Sequence, residues 1–316
     1  MYAGGLSHIS AGAWVPEQLT HYVEAVSGRT ARLCGSHAAY IMAGQATLVA
    51  YPLAPDVMDA PDATDAPDAT GAGGGVRAAS SGEAAQLAEA LEALAAMGCD
   101  RVTILAPFTA SGAVVSHRDR YWQIALPCPP ERQKLRNLLR RAALEASVNE
   151  DDFGPEHQAL VAAYLAERPL PAGTRSIFAA LPVYARLSGT PGLNVRLYSA
   201  RRHDGALAGF AIGDFSGLHT AFYMFAFRAR NAPPGTADLL LRRIIGQAEA
   251  MGHRRLNLGL GVNPGIAFFK QKWGAAPLLP YVESAWLPQG RSEKGTGGGA
   301  GGILKGLRRL FGAGPS

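Results

Sequence analysis

The chain contains little cysteine, little charge and no long apolar run. Its three cysteines, Cys34, Cys99 and Cys128, are widely spaced and form no C-x-x-C pair, which argues against a disulfide framework and a zinc ribbon. No apolar stretch reaches the roughly 20 residues needed to span a bilayer, and residues 1–10 lack a basic region followed by an apolar one. The sequence therefore predicts neither a membrane-spanning nor a secreted disulfide-rich protein, and we expect a cytoplasmic location.

Charged residues make up only 17% of the chain and apolar residues 48%, a balance that supports buried cores rather than global disorder. At about 150 residues per domain, a length of 316 residues predicts two domains. The formal net charge of +5 is too small to indicate a nucleic acid by itself. We predict no DNA partner, no metal and no tightly bound cofactor.

Two segments have the composition of irregular chain. Residues 54–82 are rich in Ala, Pro, Asp and Gly and contain Ala-Pro-Asp-Ala-Thr twice, and residues 289–302 are mostly glycine and polar residues. With almost no bulky apolar side chain, neither segment offsets the entropy lost on ordering. We predict a disordered insertion at 54–82 and a flexible linker at 289–302.

Residues 303–316 form a basic tail after this linker. In 303–311 the apolar side chains share one helical face, and Lys305, Arg308 and Arg309 lie outside it. A basic amphipathic helix of this kind binds reversibly to an anionic membrane surface. We predict peripheral membrane contact through this tail; docking on the same protein and disorder are the alternatives.

A helix that ends at glycine and leads into a strand occurs twice, about half the chain apart. The periodicity of apolar residues predicts the first helix over Glu83–Met97 and the second over Asp238–Met251. A hairpin precedes each, over 38–53 and over 194–214. This order predicts a duplicated α/β unit, with domains at 1–129 and 130–288.

Three consecutive segments of the second half carry the candidate chemistry, and the first is the loop Arg230–Asp238. Two prolines and Gly235 end an aromatic strand, and Thr236 or Asp238 can cap the helix that follows. Free backbone N–H groups at such a helix start suit an anionic group. An ordinary strand-to-helix loop is the alternative.

The second and third segments are a strand and a short helix. Leucines occupy one face of the strand 256–261, while Asn257, Gly259 and Gly261 occupy the other, so that a ligand can approach closely there. A bulge or a close helix crossing is the alternative. The helix that follows begins after a good N-cap and ends at a glycine, and Lys270 lies within its apolar stripe. Its ammonium either extends to solvent along its apolar stem or points into a cleft toward an anion.

Together these segments resemble a known family. The run Arg230-Asn-Ala-Pro-Pro-Gly-Thr-Ala-Asp-Leu-Leu240, the helix ending Met-Gly-His-Arg-Arg, the strand Leu-Asn-Leu-Gly-Leu and the run Phe269-Lys-Gln-Lys-Trp-Gly274 are similar to the tandem GNAT-like domain (DUF2156) of lysylphosphatidylglycerol synthases and their soluble relatives. The last run also resembles the Fem-type aminoacyltransferases. The resemblance covers residues 130–288 well and the first half only by architecture. It implies an α/β (α+β) fold of two tandem GNAT-like domains with mixed, mostly antiparallel sheets, of which the first is degenerate.

The resemblance also implies an acyltransferase whose donor is an aminoacyl-tRNA or an acyl-CoA and whose acceptor is an amine or hydroxyl, including a lipid or cell-envelope component. The loop 230–237 departs from the usual acetyl-CoA pattern, and Asp238 places a negative charge where a coenzyme A pyrophosphate would lie, which favours the aminoacyl donor. A non-catalytic binding or scaffold protein is the alternative.

The hypothesis gives each candidate residue a role. Lys270 stabilises an oxyanion or a phosphate, as the matching Fem lysine suggests, and Asp214 and Tyr223 orient the acceptor. The donor-binding candidates are Asn257, Gly259, Gly261, Gly235, Thr236 and Asp238, the last for an aminoacyl ammonium.

A basic helix links the two halves. Its cationic residues either form a solvated face or bind phosphate, including tRNA: Lys134, Arg136, Arg140 and Arg141.

Overall fold

The computed structural model describes residues 3–53 and 76–288. Its helices are α1 (Ala3–Ala11), α2 (Thr20–Ser27), α3 (Ser81–Ala96), α4 (Gln133–Ala143), α5 (Pro155–Glu167), α6 (Ala172–Ala185), α7 (Thr236–Ala250) and α8 (Pro264–Lys272), with a single 3-10 turn at Pro16–Gln18. Its strands are β1 (Thr30–Cys34), β2 (His37–Met42), β3 (Gln45–Val49), β4 (Arg101–Ala106), β5 (Val114–Ala125), β6 (Ala146–Asp151), β7 (Val195–Arg202), β8 (Leu207–Asp214), β9 (Thr220–Arg228), β10 (Arg255–Leu260) and β11 (Ala276–Trp286).

The described residues form two compact units, and neither is continuous in sequence. Unit 2 consists of residues 21–28 and 120–278, and the remaining described residues form unit 1. The division therefore falls inside β5 and inside β11. The predicted boundary at 129/130 lies after this break in β5, and the predicted second domain also includes the last part of β11, which pairs with β4 and belongs to unit 1.

Unit 1 contains a meander followed by a crossover. Strands β1, β2 and β3 pair in antiparallel succession, and α3 then returns the chain so that β4 lies parallel to β3. The β3–β4 ladder is continuous from Gln45–Arg101 to Val49–Leu105. Apolar residues of α3, chiefly Leu87, Leu91 and Leu94, pack on this sheet.

Unit 2 repeats this arrangement and covers both faces of its sheet. The strand order is β5-β10-β9-β8-β7-β6, and α7 is the crossover between the parallel strands β9 and β10. Helices α4 and α7 pack on one face, through Leu139, Leu241 and Ile244 among others. Helices α5 and α6 pack on the other, where Phe178 of α6 contacts Phe227. The sheet is thus a buried central layer between two helical layers.

Most of the sequence-based predictions agree with this fold. The mixed α/β class is confirmed. The sheet is mixed, because β3–β4 and β9–β10 pair in parallel while pairs such as β1–β2, β4–β11, β5–β10 and β8–β9 are antiparallel. The hairpin at 194–214 is present as β7–β8, but the counterpart of β2–β3 is β8–β9, since those are the strands that precede the crossover helix.

The predicted insertion at 54–82 ends too late. Ala78 forms a β-bridge with Thr109, and the Ser80 side chain accepts from the Glu83 N–H as the N-cap of α3. These contacts order the end of the segment, and its composition did not reveal them. Residues 54–75, the predicted linker at 289–302 and the basic tail at 303–316 lie outside the described residues. Among the described helices, none has the length and apolar character needed to cross a membrane.

Candidate functional site

Strands β9 and β10 pair for three residues and then separate. Their ladder ends at Phe222–Asn257, although β9 continues to Arg228 and β10 to Leu260. Beyond that point, within the described residues, β9 pairs with β8 and β10 pairs with β5. The result is an opening between two adjacent strands of the sheet, with α7 beginning at one side and α8 at the other.

A bulge shapes the β10 side of this opening. The register of β10 with β5 shifts between Asn257 and Leu260, and Gly259 has φ +73°, a conformation that side chains beyond hydrogen disfavour. The Asn257 side-chain oxygen accepts from the Gly259 N–H at 2.7 Å and holds the bulge in place. The predicted glycine-faced strand is therefore a real irregularity of the backbone, and Asn257 supports it from a buried position.

Lys270 closes the bulge from the α8 side. The residue is 3% exposed, and its Nζ donates to the carbonyl oxygens of Gly259 at 3.0 Å and of Leu260 at 2.6 Å. The ammonium therefore does not extend to solvent, and the groups that it contacts are backbone carbonyls. A buried positive charge thus lies next to the end of β10, the strand that borders the opening, and it attracts negative charge there.

The loop from β10 into α8 holds a backbone outlier. Val262 has φ +54°, a left-handed conformation that a β-branched residue rarely adopts. The next residue, Asn263, caps α8 by accepting from the Ile266 N–H at 3.0 Å. Strained residues of this kind concentrate at binding and catalytic sites.

The start of α7 forms the opposite side of the opening. Gly235 is its N-cap with φ +90°, and a Cβ at this position would lie 2.9 Å from the Ala142 Cβ of α4. Thr236 is buried, and its hydroxyl donates to the Pro233 carbonyl at 2.7 Å. These two residues therefore shape the loop and its contact with α4 rather than presenting side chains to a ligand.

Asp238 is engaged by two partners from the end of α8. Its Oδ1 accepts from Trp273 Nε1 at 2.9 Å and lies 2.5 Å from Lys272 Nζ. The ammonium that this carboxylate binds is thus that of Lys272, which corrects the role given to Asp238 from the sequence. The same pairing removes the electrostatic objection to a phosphate-bearing donor at the start of α7, because the negative charge is neutralised locally.

Tyr223 is the first β9 residue beyond the end of the β9–β10 ladder. It is partly buried against the cluster that contains Trp273 and the apolar face of α7. Burial, and then the nearby Asp238 carboxylate, raise the pKa of the Tyr223 hydroxyl above its ordinary value. The hydroxyl therefore stays protonated at neutral pH and is able to donate a hydrogen bond.

Asp214 is fully buried and does not face an acceptor directly, contrary to the role predicted for it. Its Oδ2 lies 2.6 Å from His21 Nε2 and accepts from the Tyr184 hydroxyl at 2.7 Å, and its Oδ1 accepts from the Ser216 N–H at 2.9 Å. Burial alone would raise the pKa of Asp214, but the hydrogen bonds that it accepts from His21, Tyr184 and the Ser216 N–H outweigh burial and hold the pKa below its ordinary value. The carboxylate is accordingly ionised.

The basic residues of α4 are exposed, as predicted. Leu138 and Ala142 lie next to Gly235, so α4 packs beside the start of α7. Of the four predicted residues, Arg136 donates to the neighbouring Gln133. The other three, Lys134, Arg140 and Arg141, make no hydrogen bond or ion pair with a described residue.

One cluster of described residues has the composition of a metal site: Asp151, Glu156 and His157. Arg201 donates to both carboxylates, and its guanidinium therefore supplies the positive charge that this cluster needs. These residues explain the geometry without a cation, and they lie at the β6–α5 end of the unit, away from the β9–β10 ladder in strand order.

The structure thus brings together the strand, the helix and the loop that the sequence singled out. Lys270, Asn257 and Gly259 form one hydrogen-bonded group. The sequence analysis missed His21, which reaches Asp214 from 193 positions away and has no local pattern to announce it. It also missed the pairing of Lys272 and Trp273 with Asp238, although both residues belong to the run that carried the family resemblance.

Comparisons with known proteins agree with this geometry. Residues 131–271 match the family model of the acetyltransferase (GNAT) domain. No curated protein matches the chain in sequence. Among solved structures, the chain is similar to the C-terminal DUF2156 domain of a protein described as a lysylphosphatidylglycerol synthetase from Agrobacterium fabrum, with a TM-score of 0.57, 14% identity and 98% of each chain covered.

Two further structures share the fold. L-PGS from Bacillus licheniformis has a TM-score of 0.52 and 11% identity over 94% of this chain and 97% of that one. A conserved protein of unknown function from Bacteroides thetaiotaomicron has a TM-score of 0.59 and 9% identity over 90% of this chain and 96% of that one. The family resemblance predicted from the sequence is confirmed at the level of fold.

Proposed function

We propose that this chain, whose residues 131–271 match the GNAT acetyltransferase domain, is an acyltransferase with its active site in unit 2. It transfers an acyl or aminoacyl group from a coenzyme A thioester or an aminoacyl-tRNA to an amine or a hydroxyl. The single observation that carries this proposal is the separation of β9 and β10 beyond Phe222 and Asn257, beside the buried ammonium of Lys270.

The opening provides the groups that acyl transfer needs. When a nucleophile attacks the donor carbonyl, negative charge develops on its oxygen and must be stabilised. Backbone groups at the inner edges of β9 and β10 and the protonated Tyr223 hydroxyl are the candidate donors to that oxygen. Lys270 contributes its positive charge through the bulge that it holds, in surroundings where charge is poorly screened.

The donor's phosphates find a complementary surface near the start of α7. This helix end carries the positive end of a helix dipole, and Lys272 neutralises its one acidic side chain in the first turn. Helix α4, whose cations are exposed, packs beside it. Both coenzyme A and the acceptor end of a tRNA present phosphates, so this surface suits either donor.

The names of structurally similar proteins favour a hydroxyl group on a lipid as the acceptor. The names of two structures with this fold refer to lysylphosphatidylglycerol synthesis or to L-PGS. The basic tail at 303–316 would hold the chain at an anionic surface that contains such an acceptor.

A thermal-shift titration identifies the donor. Acetyl-CoA, free coenzyme A, aminoacylated bulk tRNA and deacylated bulk tRNA are each added to the full chain, and a donor bound to the folded state raises the melting temperature. A shift with the thioester alone supports the coenzyme A donor, and a larger shift with charged than with deacylated tRNA supports the aminoacyl donor. Each active donor is then incubated with ethanolamine or phosphatidylglycerol vesicles, and acyl transfer is measured.

Charge-neutralised variants locate the phosphate surface. The test variant combines Arg140→Gln and Arg141→Gln on α4. The control variant combines Arg175→Gln and Arg186→Gln at α6, which removes the same number of charges on the opposite face of the sheet. The α4 pair should weaken donor binding and reduce its salt dependence, whereas the α6 pair should not. Equal effects of the two pairs would remove α4 from the donor site.

A non-catalytic scaffold is the second candidate, and one observation favours it. Lys270 already donates to two carbonyl oxygens, which is sufficient to explain its burial by structure alone. Absence of a shift with every donor, together with absence of transfer, would favour the scaffold.

A further inference from the structure

A histidine from the N-terminal part of the chain completes a buried hydrogen-bonded pair in unit 2. His21 Nε2 and Asp214 Oδ2 lie 2.6 Å apart, and the side chains are 10% and 0% exposed. Because an ionised carboxylate only accepts, the neutral form of the His21 ring is the tautomer that carries its proton on Nε2. Its Nδ1 then holds a lone pair, and within the described residues Nδ1 makes no hydrogen bond.

The pair lies at the level where β9 and β10 separate. Asp214 faces Phe222 across β8 and β9, and Phe222 faces Asn257 across β9 and β10. At roughly 4.8 Å between neighbouring strands, the Asp214 backbone is about 10 Å from that of Asn257. The carboxylate therefore belongs to the row of residues that ends the β9–β10 ladder.

Helix α2 carries His21 over the same part of β9. The ring of its neighbour Tyr22 packs against Phe225 with centroids 6.1 Å apart, and Phe225 lies on the part of β9 that has already separated from β10. Tyr22 also contacts the Tyr184 ring at 5.1 Å. These contacts fix α2 above the opening, on the face of the sheet that α5 and α6 cover.

We propose that His21, held by Asp214, is the general base of the acyl transfer; this inference rests on the proposed function. The acceptor's nitrogen or oxygen forms a bond to the donor carbonyl carbon as Nδ1 takes the acceptor's proton. The bond from that carbon to the thioester sulfur or the tRNA ester oxygen then breaks. The leaving group receives the proton from Nδ1, so the ring returns to its starting state.

Each neighbour of His21 has a defined part in this arrangement. Asp214 fixes the tautomer and stabilises the imidazolium that forms, and Tyr184 donates to the same carboxylate oxygen. Tyr22 supplies ring contacts to the group, and the His253 ring is close enough to Asp214 to interact with its charge. Asp214 is thus a positioning residue, and His21 is the catalytic one.

His21→Gln tests the assignment, with Tyr184→Phe as the matched control. Glutamine keeps a hydrogen bond to Asp214 but takes no proton, while phenylalanine removes the other hydrogen bond to the same oxygen. The assay uses the donor that raises the melting temperature of the wild type and takes ethanolamine as the acceptor. The single-turnover rate of transfer should fall at least about 100-fold in His21→Gln. The donor-induced shift should stay within the error of the wild type, and Tyr184→Phe should lose less than about 10-fold.

Two readouts separate a catalytic role from a structural one. The acid limb of the wild-type kcat/KM profile should be absent in His21→Gln, and added imidazole should restore part of the transfer by His21→Ala. Equal transfer by wild type and His21→Gln would overturn the inference and leave the proposed function standing. A wild type that neither binds a donor nor transfers would overturn both.

Discussion

The Lys270 ammonium lies 2.6 Å from the carbonyl oxygen of Leu260, a residue ten positions earlier that ends β10. This contact joins helix α8 to the bulged strand β10, two segments that the sequence analysis singled out separately. Removing it should affect both the fold and the site.

Lys270→Met should therefore lower stability and activity together. The change leaves the Gly259 and Leu260 carbonyls without this donor, at a cost of about 1–3 kcal/mol in the free energy of unfolding, and transfer should fall roughly 100-fold or more. Denaturant unfolding and transfer assays measure the two effects. Gln271→Met, on the exposed side of the same helix, is the control and should change neither. Unchanged turnover in a folded Lys270→Met protein would remove Lys270 from the mechanism.

A double-mutant cycle tests the pairing of Asp238 with Lys272. Asp238→Asn and Lys272→Met each weaken the same partly buried ion pair, so the double variant should be more stable than the sum of the single effects predicts. We expect a coupling of about 1 kcal/mol in the free energy of unfolding. Additive effects would show that the pair contributes nothing in solution.

Gly235→Ala should separate α4 from α7. A Cβ there would meet Ala142 at 2.9 Å in a left-handed conformation that alanine disfavours, so we expect a loss of about 1–2 kcal/mol in the free energy of unfolding. Gly246→Ala is the matched control, because it lies inside α7 with no neighbouring atom within 4 Å of its Cβ position. That change should raise stability by about 0.5–1 kcal/mol.

Acid should destabilise the protein through His253. Burial lowers the pKa of His253, with a further decrease from His219, while Asp214 acts in the opposite direction; neither ring nitrogen has a hydrogen-bond partner among the described residues. The unfolded chain therefore binds this proton first, near its ordinary pKa of 6.5. The contribution of His253 is complete above that pH and is lost as the pH falls below it, at no more than about 1.4 kcal/mol per pH unit.

His253→Leu should flatten this acid dependence. Leucine fills the site beside Phe215 without placing unpaired nitrogens there, so stability at pH 7.5 should be equal or higher. Urea unfolding between pH 7.5 and pH 5 measures the slope. Burial also lowers the pKa values of His37 and His157, so the stability of the variant should still fall somewhat as the pH decreases.

The sequence predicted those parts of the site that depend on local pattern. Residue spacing placed α7, β10 and α8 within a few residues of their observed bounds, because capping residues and apolar periodicity are local signals. The glycines on one strand face left a ligand site, a bulge and a close helix crossing open, and the structure shows the bulge at Gly259. Strand pairing could not be predicted in the same way. No local pattern indicates that β9 and β10 separate after Phe222, since register depends on contacts between distant segments.

Roles assigned to buried polar residues required the structure. Asp214 and Asp238 both lie at positions that suggest ligand binding, yet each carboxylate is bound by partners from its own chain: His21 and Tyr184 in one case, Lys272 and Trp273 in the other. A carboxylate's partner is chosen by tertiary packing, and sequence distance gives no information about it.

The passage of β11 from one unit to the other sets the order in which the chain can fold during synthesis. Residues 21–28 and 120–278 are all available once Leu278 has left the ribosome, so unit 2 can assemble first. The strand β4 must wait for residues 282–286, its partners in β11, before its edge is covered. Expression of residues 1–119 alone would leave that edge exposed, and a fragment of the N-terminal half should aggregate where the intact protein does not.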